Sequence, residues 1–290
     1  MHEKNPYKFG YDFERLTHRN MDLKQHIIYN PSGQKTINFS DAFAVLALNK
    51  SLLLSDFKLN YYHLPKGYLI PPIPGRLDYL LHINDIISEK IKISPNTRVK
   101  GLDLGCGANG IYCILGAQYY NWKMVGIESD AEAVAVVNKN ISNTKELQDK
   151  VTILHQSDKS FLLKNCVTSK DEFDFLVCNP PFHTSEKDAM KGSLKKHKNL
   201  NHNSDKSNII LNFQGQANEL WCNGGESLFI KRLIKESILF KHQIKFFTSL
   251  VAKASHLPKI EKQLYKAKAN YEIIPMAQGH KKSRFIIWWF

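Results

Sequence analysis

A glycine-rich turn between two apolar segments constrains the fold of this chain more than any other feature. Residues 99–104 have the apolar content of a buried strand, and Gly105 and Gly107 open a helical stretch directly after it. Glycine tolerates the backbone conformations of a tight turn and lets a ligand approach the main chain closely. Because no phosphate-binding Lys-Ser or Lys-Thr pair follows the turn, we expect a nucleoside ligand without phosphates.

Strands and helices alternate on both sides of this turn. Such alternation predicts an α/β fold, in which a mostly parallel, Rossmann-like sheet is covered by helices on both faces. Upstream, Ser40 or Asp41 caps a predicted helix, and residues 69–76 form a proline-rich, non-helical entry to the next one. We therefore predict an N-terminal helical extension over residues 1–95 and a Rossmann-like domain over residues 96–290. The further predicted elements are helices at 77–90, 131–141 and 226–240, and strands at 99–104, 122–128, 151–155, 173–178, 244–251 and 285–290.

An acidic residue, Glu128, ends the strand that follows the glycine turn. In related α/β folds an acid at this place accepts hydrogen bonds from the ribose hydroxyls of a bound nucleotide. Together with Asp103, Gly105 and Gly107, it resembles the cofactor site of class I S-adenosylmethionine methyltransferases. The plainer alternative is a glycine turn that serves only helix–sheet packing.

A second motif, Asn179-Pro180-Pro181-Phe182, directly follows the strand predicted at 173–178. The Asn179 carboxamide oxygen and a carbonyl of the Pro-Pro step can accept both N–H groups of an exocyclic amine, and Phe182 offers a face for base stacking. Proline stiffens the turn and removes a competing N–H donor. The motif alone leaves adenine N6, guanine N2, cytosine N4 and a glutamine side-chain amide open as targets.

The net charge of +13 indicates a polyanionic partner. The sequence has no run of 18 apolar residues and no apolar stretch typical of a signal peptide at its start, so we expect a cytoplasmic protein that binds nucleic acid. The five scattered cysteines show no ligand spacing, and we expect no metal. A mobile basic loop is predicted at 184–210, where RNA phosphates are expected to contact Lys187, Lys191, Lys195, Lys196 and Lys198.

Ordered matches along nearly the whole chain resemble the RlmF-type 23S ribosomal RNA adenine-N6 methyltransferases, whose eukaryotic relatives methylate structured small nuclear and messenger RNA. The matches begin at Tyr11-Asp12-Phe13 and include the proline-rich segment, both motifs above and the chain end. One departure is Cys106, where the family usually has Thr. The segments that carry the resemblance are residues 11–13, 37–41, 71–76, 101–108, 111–112, 115–117, 179–182, 211–213, 219–222, 224–226, 248–251 and 278–290.

The resemblance implies a seven-stranded class I fold and a role for each matching residue. Arg76 would hold the carboxylate of S-adenosyl-L-methionine, Gly105 would lie under its methionine part, and Ser160 would contact it near the adenosine. Glu128 would bind ribose, whereas Asn179 and Phe182 would form the base pocket. The implied partner is 23S ribosomal RNA or a large-subunit assembly intermediate, bound by a monomer.

Three other functions stay open on the sequence alone. Guanine-N2 methylation of ribosomal RNA is the first, because Asn-Pro-Pro-Phe-His also occurs in such enzymes. A protein-glutamine methyltransferase is disfavoured by the positive charge. A non-catalytic RNA-binding module would keep the fold without the chemistry, and the presence of Arg76, Glu128 and Asn179 argues against it.

Overall fold

The computed structural model describes residues 1–91, 98–181, 224–278 and 281–290. Its strands are β1 (Ile27–Tyr29), β2 (Lys35–Ile37), β3 (Lys100–Leu104), β4 (Lys123–Glu128), β5 (Val151–His155), β6 (Phe173–Cys178), β7 (Ile244–Leu250), β8 (Asn270–Gln278) and β9 (Lys281–Trp289). The α-helices are α1 (Phe13–Arg19), α2 (Ala42–Ser55), α3 (Ile73–Ile91), α4 (Ile111–Tyr120), α5 (Ala131–Ser142), α6 (Lys145–Gln148), α7 (Gly225–Ser237) and α8 (Leu257–Ala267). Short 3₁₀ helices span Met21–His26, Ile238–Phe240 and Ala254–His256.

Strands β3 to β9 form one seven-stranded sheet in the order β5-β4-β3-β6-β7-β9-β8. The first five strands of that order run parallel, whereas β9 is antiparallel to both of its neighbours. The chain builds outwards from β3 through β4 to β5 and then returns to place β6 on the other side of β3. This reversal creates a topological switch point between β3 and β6, where open α/β sheets bind their ligands.

Two hydrophobic clusters cover the two faces of the sheet. Along β6, Phe175 and Val177 pack into one cluster, and Leu176 and Cys178 pack into the other. Helices α3 and α4 lie on the first face, and α7 and α8 on the second. Because helices cover both faces, the inner strand β6 is apolar on both sides from Phe175 to Cys178, as is typical of a parallel sheet.

The sequence predictions are confirmed for most elements of the sheet. Strands β5 and β6 have the predicted bounds, and Asp41 caps α2 by accepting a hydrogen bond from the Phe43 N–H. The prediction of a non-helical entry through residue 76 was wrong, since α3 already begins at Ile73. Pro74 fits there because the first turn of a helix has backbone N–H groups without intrahelical partners. Strand β8, helix α8 and the elements before α2 were not identified from the sequence.

The N-terminal segment shares a core with the sheet domain. One cluster contains Leu16 and Leu52 of the segment together with Ile114 and Phe175 of the sheet domain. At the surface of α3, the Asn5 side chain donates to the Pro74 carbonyl at 2.9 Å and to the Asp78 carboxylate at 3.1 Å. The boundary at residue 95 thus remains a prediction, and the core itself runs across it. Within the described ranges, no helix has both the length and the apolar content needed to cross a membrane.

Replacing Gly101 with Ala is expected to destabilise the central strand. A methyl group there would lie 2.7 Å from the Met124 sulfur and closer still to the Phe175 ring, and both side chains are buried. Overpacking of this kind costs about 1–3 kcal/mol of unfolding free energy. Urea denaturation should show the loss, and adding Phe175→Leu to the variant should restore part of it. An unchanged midpoint for Gly101→Ala would contradict this account of the packing.

Candidate functional site

A cleft opens at the carboxyl ends of β3 and β6, at the switch point of the sheet. It encloses about 860 Å³ including its open mouth, a volume in the range of small-molecule sites. Six residues named from the sequence line it: Arg76, Gly105, Gly107, Glu128, Asn179 and Pro181. These residues come from α3, the turn after β3, β4 and the turn after β6, so the fold brings together segments that are up to 105 positions apart.

The glycine turn follows β3 with two residues in the left-handed backbone region. Gly105 has φ +73° and Gly107 has φ +62°, conformations that favour glycine. A Cβ built on Gly105 would have no atom within 4 Å, which means that this side of the turn faces open space. Gly110 completes a Gly-x-Gly-x-x-Gly spacing, and the turn by itself therefore does not distinguish a nucleoside from a dinucleotide ligand.

The Glu128 carboxylate joins this turn to the end of β4. One of its oxygens accepts the Gly107 N–H at 2.9 Å, and the other accepts the N–H groups of Ser129 at 2.7 Å and Asp130 at 2.9 Å. Glu128 is only 7% exposed and still lines the cleft. The Ser129 hydroxyl also donates to the second oxygen, at 3.4 Å, so the oxygen that Gly107 contacts is the one with a lone pair left for a ribose hydroxyl.

Arg76 supplies the positive charge of the cleft. Its Nη1 donates to the Tyr112 hydroxyl at 2.9 Å, and its guanidinium lies 5.6 Å from the centre of the Tyr112 ring. Burial raises the pKa of Tyr112 to about 12, so the phenol keeps its proton and can donate it in turn. Among the residues that the structure describes, Arg76 forms no salt bridge, which leaves the guanidinium available for a ligand carboxylate.

Asp103 lies behind the turn and does not line the cleft. It is 1% exposed; Oδ2 accepts from the Cys113 thiol at 3.8 Å, and Oδ1 has no hydrogen-bond partner among the described residues. Burial, with a smaller contribution from the charge of Glu128, raises the pKa of Asp103 to about 8. At neutral pH the side chain is therefore mostly a neutral acid that could ionise beside a cation.

Asn179 directly follows β6 and faces the cleft. Its Oδ1 atom is buried and has no hydrogen-bond partner within the described ranges. A buried carboxamide oxygen without a partner is costly, and this one is explained if a ligand N–H completes it. Pro181 lines the same wall, whereas Pro180 is buried beside it and does not line the cleft.

Ser160 lies outside the cleft wall. Its N–H donates to the Asp158 side chain at 2.9 Å, and its carbonyl accepts from Arg232, while the next residue, Phe161, lines the cleft. A contact between Ser160 and a ligand stays a prediction. Sequence reasoning did not single out Tyr112, Gln156, Phe161 or Phe229, which also line the cleft. Of these, Gln156 had a usable signal, because it directly follows a predicted strand at the carboxyl edge.

The remaining predicted site residues lie outside the described part of the chain. They are Phe182, Lys187, Lys191, Lys195, Lys196 and Lys198. Where the chain is described, no three His, Cys, Asp or Glu side chains lie together as the ligands of a metal ion would.

The described groups fit an S-adenosylmethionine-type cofactor. Arg76 matches its carboxylate, Glu128 matches its ribose hydroxyls, and the open face of Gly105 leaves room for the chain between them. Asn179, whose buried Oδ1 atom has no hydrogen-bond partner in the described part of the chain, lines the same cleft.

The comparison with known proteins covers the whole chain. A family model described as RNA methyltransferase matches residues 1–290. Ribosomal RNA large subunit methyltransferase F of Christiangramia forsetii is 46% identical over 290 residues, which cover 100% of both chains. The protein of the same name from Flavobacterium psychrophilum is 43% identical over 293 residues and covers 100% of this chain and 93% of its own.

Solved structures of human METTL16 have the same fold. Its catalytic domain in complex with MAT2A 3′UTR hairpin 1 superposes with a TM-score of 0.82 at 28% identity, over 100% of this chain and 95% of that one. Its N-terminal domain in complex with SAH superposes with a TM-score of 0.78 at 27% identity, over 100% and 98%. The predicted class I fold with a mostly parallel seven-stranded sheet is thereby confirmed.

The buried acid Asp103 predicts a pH-dependent stability difference. An unfolded Asp ionises near pH 4, whereas Asp103 ionises near pH 8 in the folded chain, so its contribution to stability falls as pH rises between these values. Asp103→Asn removes this loss. Its unfolding free energy, measured in urea, should therefore gain on the wild type from pH 5 to pH 8 by a few kcal/mol, on the order of 2–5. The exposed Asp22→Asn is the control, and parallel curves for Asp103→Asn and wild type would refute the assignment.

Proposed function

The chain belongs to this RNA methyltransferase family, and we propose that it uses S-adenosyl-L-methionine to methylate N6 of one unpaired adenine in 23S ribosomal RNA. The full-length likeness to ribosomal RNA large subunit methyltransferases supports the reaction and the RNA class. The buried Asn179 oxygen, which has no hydrogen-bond partner among the residues that the structure describes, supports the choice of an exocyclic amine as the target. The choice of adenine over the other bases rests on the resemblance to RlmF-type adenine-N6 methyltransferases.

The cofactor is S-adenosyl-L-methionine, which supplies a methyl group on a positively charged sulfur. In the proposed arrangement Arg76 holds its carboxylate, and Glu128, already fixed by three backbone N–H groups, accepts from its ribose. Asp103 lies close enough to Arg76 and Glu128 for their charges to affect its pKa. It would ionise when the cofactor ammonium approaches.

Asn179 acts on the substrate amine by positioning it. Its Oδ1 accepts one amine N–H, and the proposed second acceptor is a carbonyl of the Pro180–Pro181 step, which turns the nitrogen lone pair towards the methyl group. The nitrogen would bond to the methyl carbon as the methyl–sulfur bond breaks and its electron pair returns to the sulfur, which leaves as a neutral thioether. The nitrogen would gain the positive charge, which strengthens both hydrogen bonds in the transition state. One N–H proton is then lost to water, and no strong base is required.

The proposed reaction requires an accessible nucleobase. A base that is stacked and paired in a helix cannot present its amine to Asn179, so the target adenine is unpaired or flipped out. Phe182, which follows the described residues, is proposed to stack on it.

The proposed partner is 23S ribosomal RNA or a large-subunit assembly intermediate, bound by a monomer in the cytoplasm where ribosomal RNA is made. The net charge of +13 supports a polyanionic partner. Lys187, Lys191, Lys195, Lys196 and Lys198 are proposed to neutralise phosphates, which would make binding steeply dependent on salt.

Asn179→Ala should separate turnover from cofactor binding. Without the carboxamide oxygen the amine is no longer held, and we expect kcat to fall by about 10²–10³-fold. The dissociation constant of S-adenosylmethionine, measured by calorimetry, should stay within a few fold. Asn143→Ala, an exposed asparagine at the end of α5, is the control. Loss of cofactor affinity without a separate loss of kcat would contradict the assigned role.

Methyl transfer to RNA from cells that lack this protein tests the function directly. Labelled S-adenosylmethionine should give N6-methyladenosine in digests of 23S fragments. N2-methylguanosine alone would replace the proposed target with guanine. Transfer to protein glutamine, or calorimetry without detectable cofactor binding, would overturn the proposal in favour of a protein methyltransferase or an inert RNA-binding module.

A further inference from the structure

The backbone pairing between β6 and β7 ends before either strand does. Pairing runs from Phe173 with Ile244 to Leu176 with Phe247. Beyond that point β7 remains paired with β9, through Leu250 and Phe285, while β6 remains paired with β3 as far as Cys178. The two strands therefore separate at the carboxyl edge of the sheet, directly before Asn179.

Two buried hydroxyls occupy this gap. The Thr248 hydroxyl donates to the Leu176 carbonyl at 2.7 Å and lies 2.5 Å from the Tyr79 hydroxyl. Because Thr248 has one proton and uses it on Leu176, Tyr79 must be the donor to Thr248. The Tyr79 oxygen also accepts the backbone N–H of Cys178. Tyr79 and Thr248 are both 0% exposed, so no water can replace either bond cheaply.

These bonds set the path of the backbone into the candidate catalytic turn. Leu176 and Cys178 lie three and one positions before Asn179, and each is held by a side chain where a neighbouring strand would otherwise hold it. Asn179 directly follows Cys178, so the orientation of its carboxamide depends on the backbone of this segment. An apolar pair in the same gap would leave the carbonyl and the N–H unsatisfied and free to shift.

Tyr79 also connects this segment to the other wall of the cleft. It lies three residues after Arg76 on α3, and its ring packs edge-on against Tyr112 with the ring centres 5.6 Å apart. The Tyr112 hydroxyl accepts the hydrogen bond from the Arg76 guanidinium. Packed and hydrogen-bonded groups thus run from Arg76 through Tyr112, Tyr79 and Thr248 to the end of β6.

We propose that Tyr79 and Thr248 are positioning residues for methyl transfer, because their hydrogen-bonded hydroxyls orient Asn179 relative to the cofactor held by Arg76. This inference rests on the proposed methyltransferase function and deepens it. Neither residue lines the cleft, so both act through the backbone of β6 and contact neither cofactor nor substrate. Misplacing a reacting group by about 1 Å costs up to roughly 10²-fold in rate, which sets the scale of the expected effect.

Tyr79→Phe removes only the hydroxyl and should lower kcat for methyl transfer to RNA by about 10- to 100-fold. The dissociation constant of S-adenosylmethionine should change by less than about threefold, because Arg76 and Tyr112 keep their side chains. The matched control is Tyr7→Phe, which removes a buried hydroxyl bonded to Asp56 at 3.0 Å in the N-terminal segment. Tyr7→Phe should lower Tm about as much as Tyr79→Phe does, but it should leave kcat within twofold of the wild type.

Variants of Thr248 decide the case even if Tyr79→Phe folds poorly. Thr248→Val keeps the shape but loses the donor to Leu176, whereas Thr248→Ser keeps the hydroxyl. We expect Thr248→Val to lose as much kcat as Tyr79→Phe, and Thr248→Ser to retain most of the wild-type kcat. Because the two hydroxyls act as one unit, the double variant Tyr79→Phe/Thr248→Val should lose much less than the product of the single losses. Equal kcat in Tyr79→Phe and Tyr7→Phe, or equal activity in the Val and Ser variants, would overturn the inference.

A second readout needs no turnover. The side-chain amide signal of Asn179 can be assigned in ¹⁵N spectra by its disappearance in Asn179→Ala. It should shift or broaden in Tyr79→Phe and stay in place in Tyr7→Phe; an unmoved signal in both would refute the positioning role. If wild type transfers no methyl group to any RNA, the proposed function fails, and this spectrum still decides whether Tyr79 orients Asn179.

Discussion

Three backbone N–H groups converge on the buried Glu128 side chain, and the arrangement of the two turns that line the cleft depends on these bonds. The bonds from Gly107, Ser129 and Asp130 fasten the turn after β3 to the turn after β4, which are 21 positions apart along the chain. Burial of a carboxylate is costly, and charge-assisted bonds to fixed backbone donors offset that cost. The same bonds fix the direction of the carboxylate, so in the proposed cofactor complex the ribose would meet an acceptor that is already oriented.

The charges around the cleft follow from differences in burial and partners. The Glu128 side chain accepts hydrogen bonds from three backbone N–H groups, whereas Asp103 is buried behind the turn, and burial together with the charge of Glu128 raises the pKa of Asp103 to about 8. Arg76 is the opposing cation and is held by an uncharged phenol, not by an acid. This leaves both its charge and part of its donor set for a ligand, and Arg76 and Glu128 line the same cleft.

The N-terminal segment forms part of the cleft wall. Helix α3 belongs to the sequence before the sheet, and it carries both Arg76 and Tyr79. Its start is fixed from several directions: Asn49 donates to the Pro71 carbonyl at 2.6 Å, and the His2 N–H donates to Asp78 at 2.6 Å. Since these contacts set the position of Arg76 relative to Glu128, a sheet domain cut at residue 95 would lose the cation of its own site.

Local sequence patterns were enough to locate most strands and the turns that line the cleft, whereas the contacts between those turns depend on the folded sheet. The apolar runs of β5 and β6 end at polar residues and turns, so their bounds could be read directly, and the Gly105, Glu128 and Asn179 positions followed from the rule that ligands bind at carboxyl strand ends. Strand β8 could not be found in this way, because it contains Pro275 and its backbone partners are supplied by β9. The start of α3 was misplaced because residues 69–76 were taken as one non-helical segment, whereas Pro74 lies in the first turn of α3 and its carbonyl accepts from the Asn5 side chain of the distant N-terminus. The pairs Arg76–Tyr112 and Tyr79–Thr248 join residues 36 and 169 positions apart. No local pattern encodes such contacts, since only the folded sheet brings their elements within hydrogen-bonding distance.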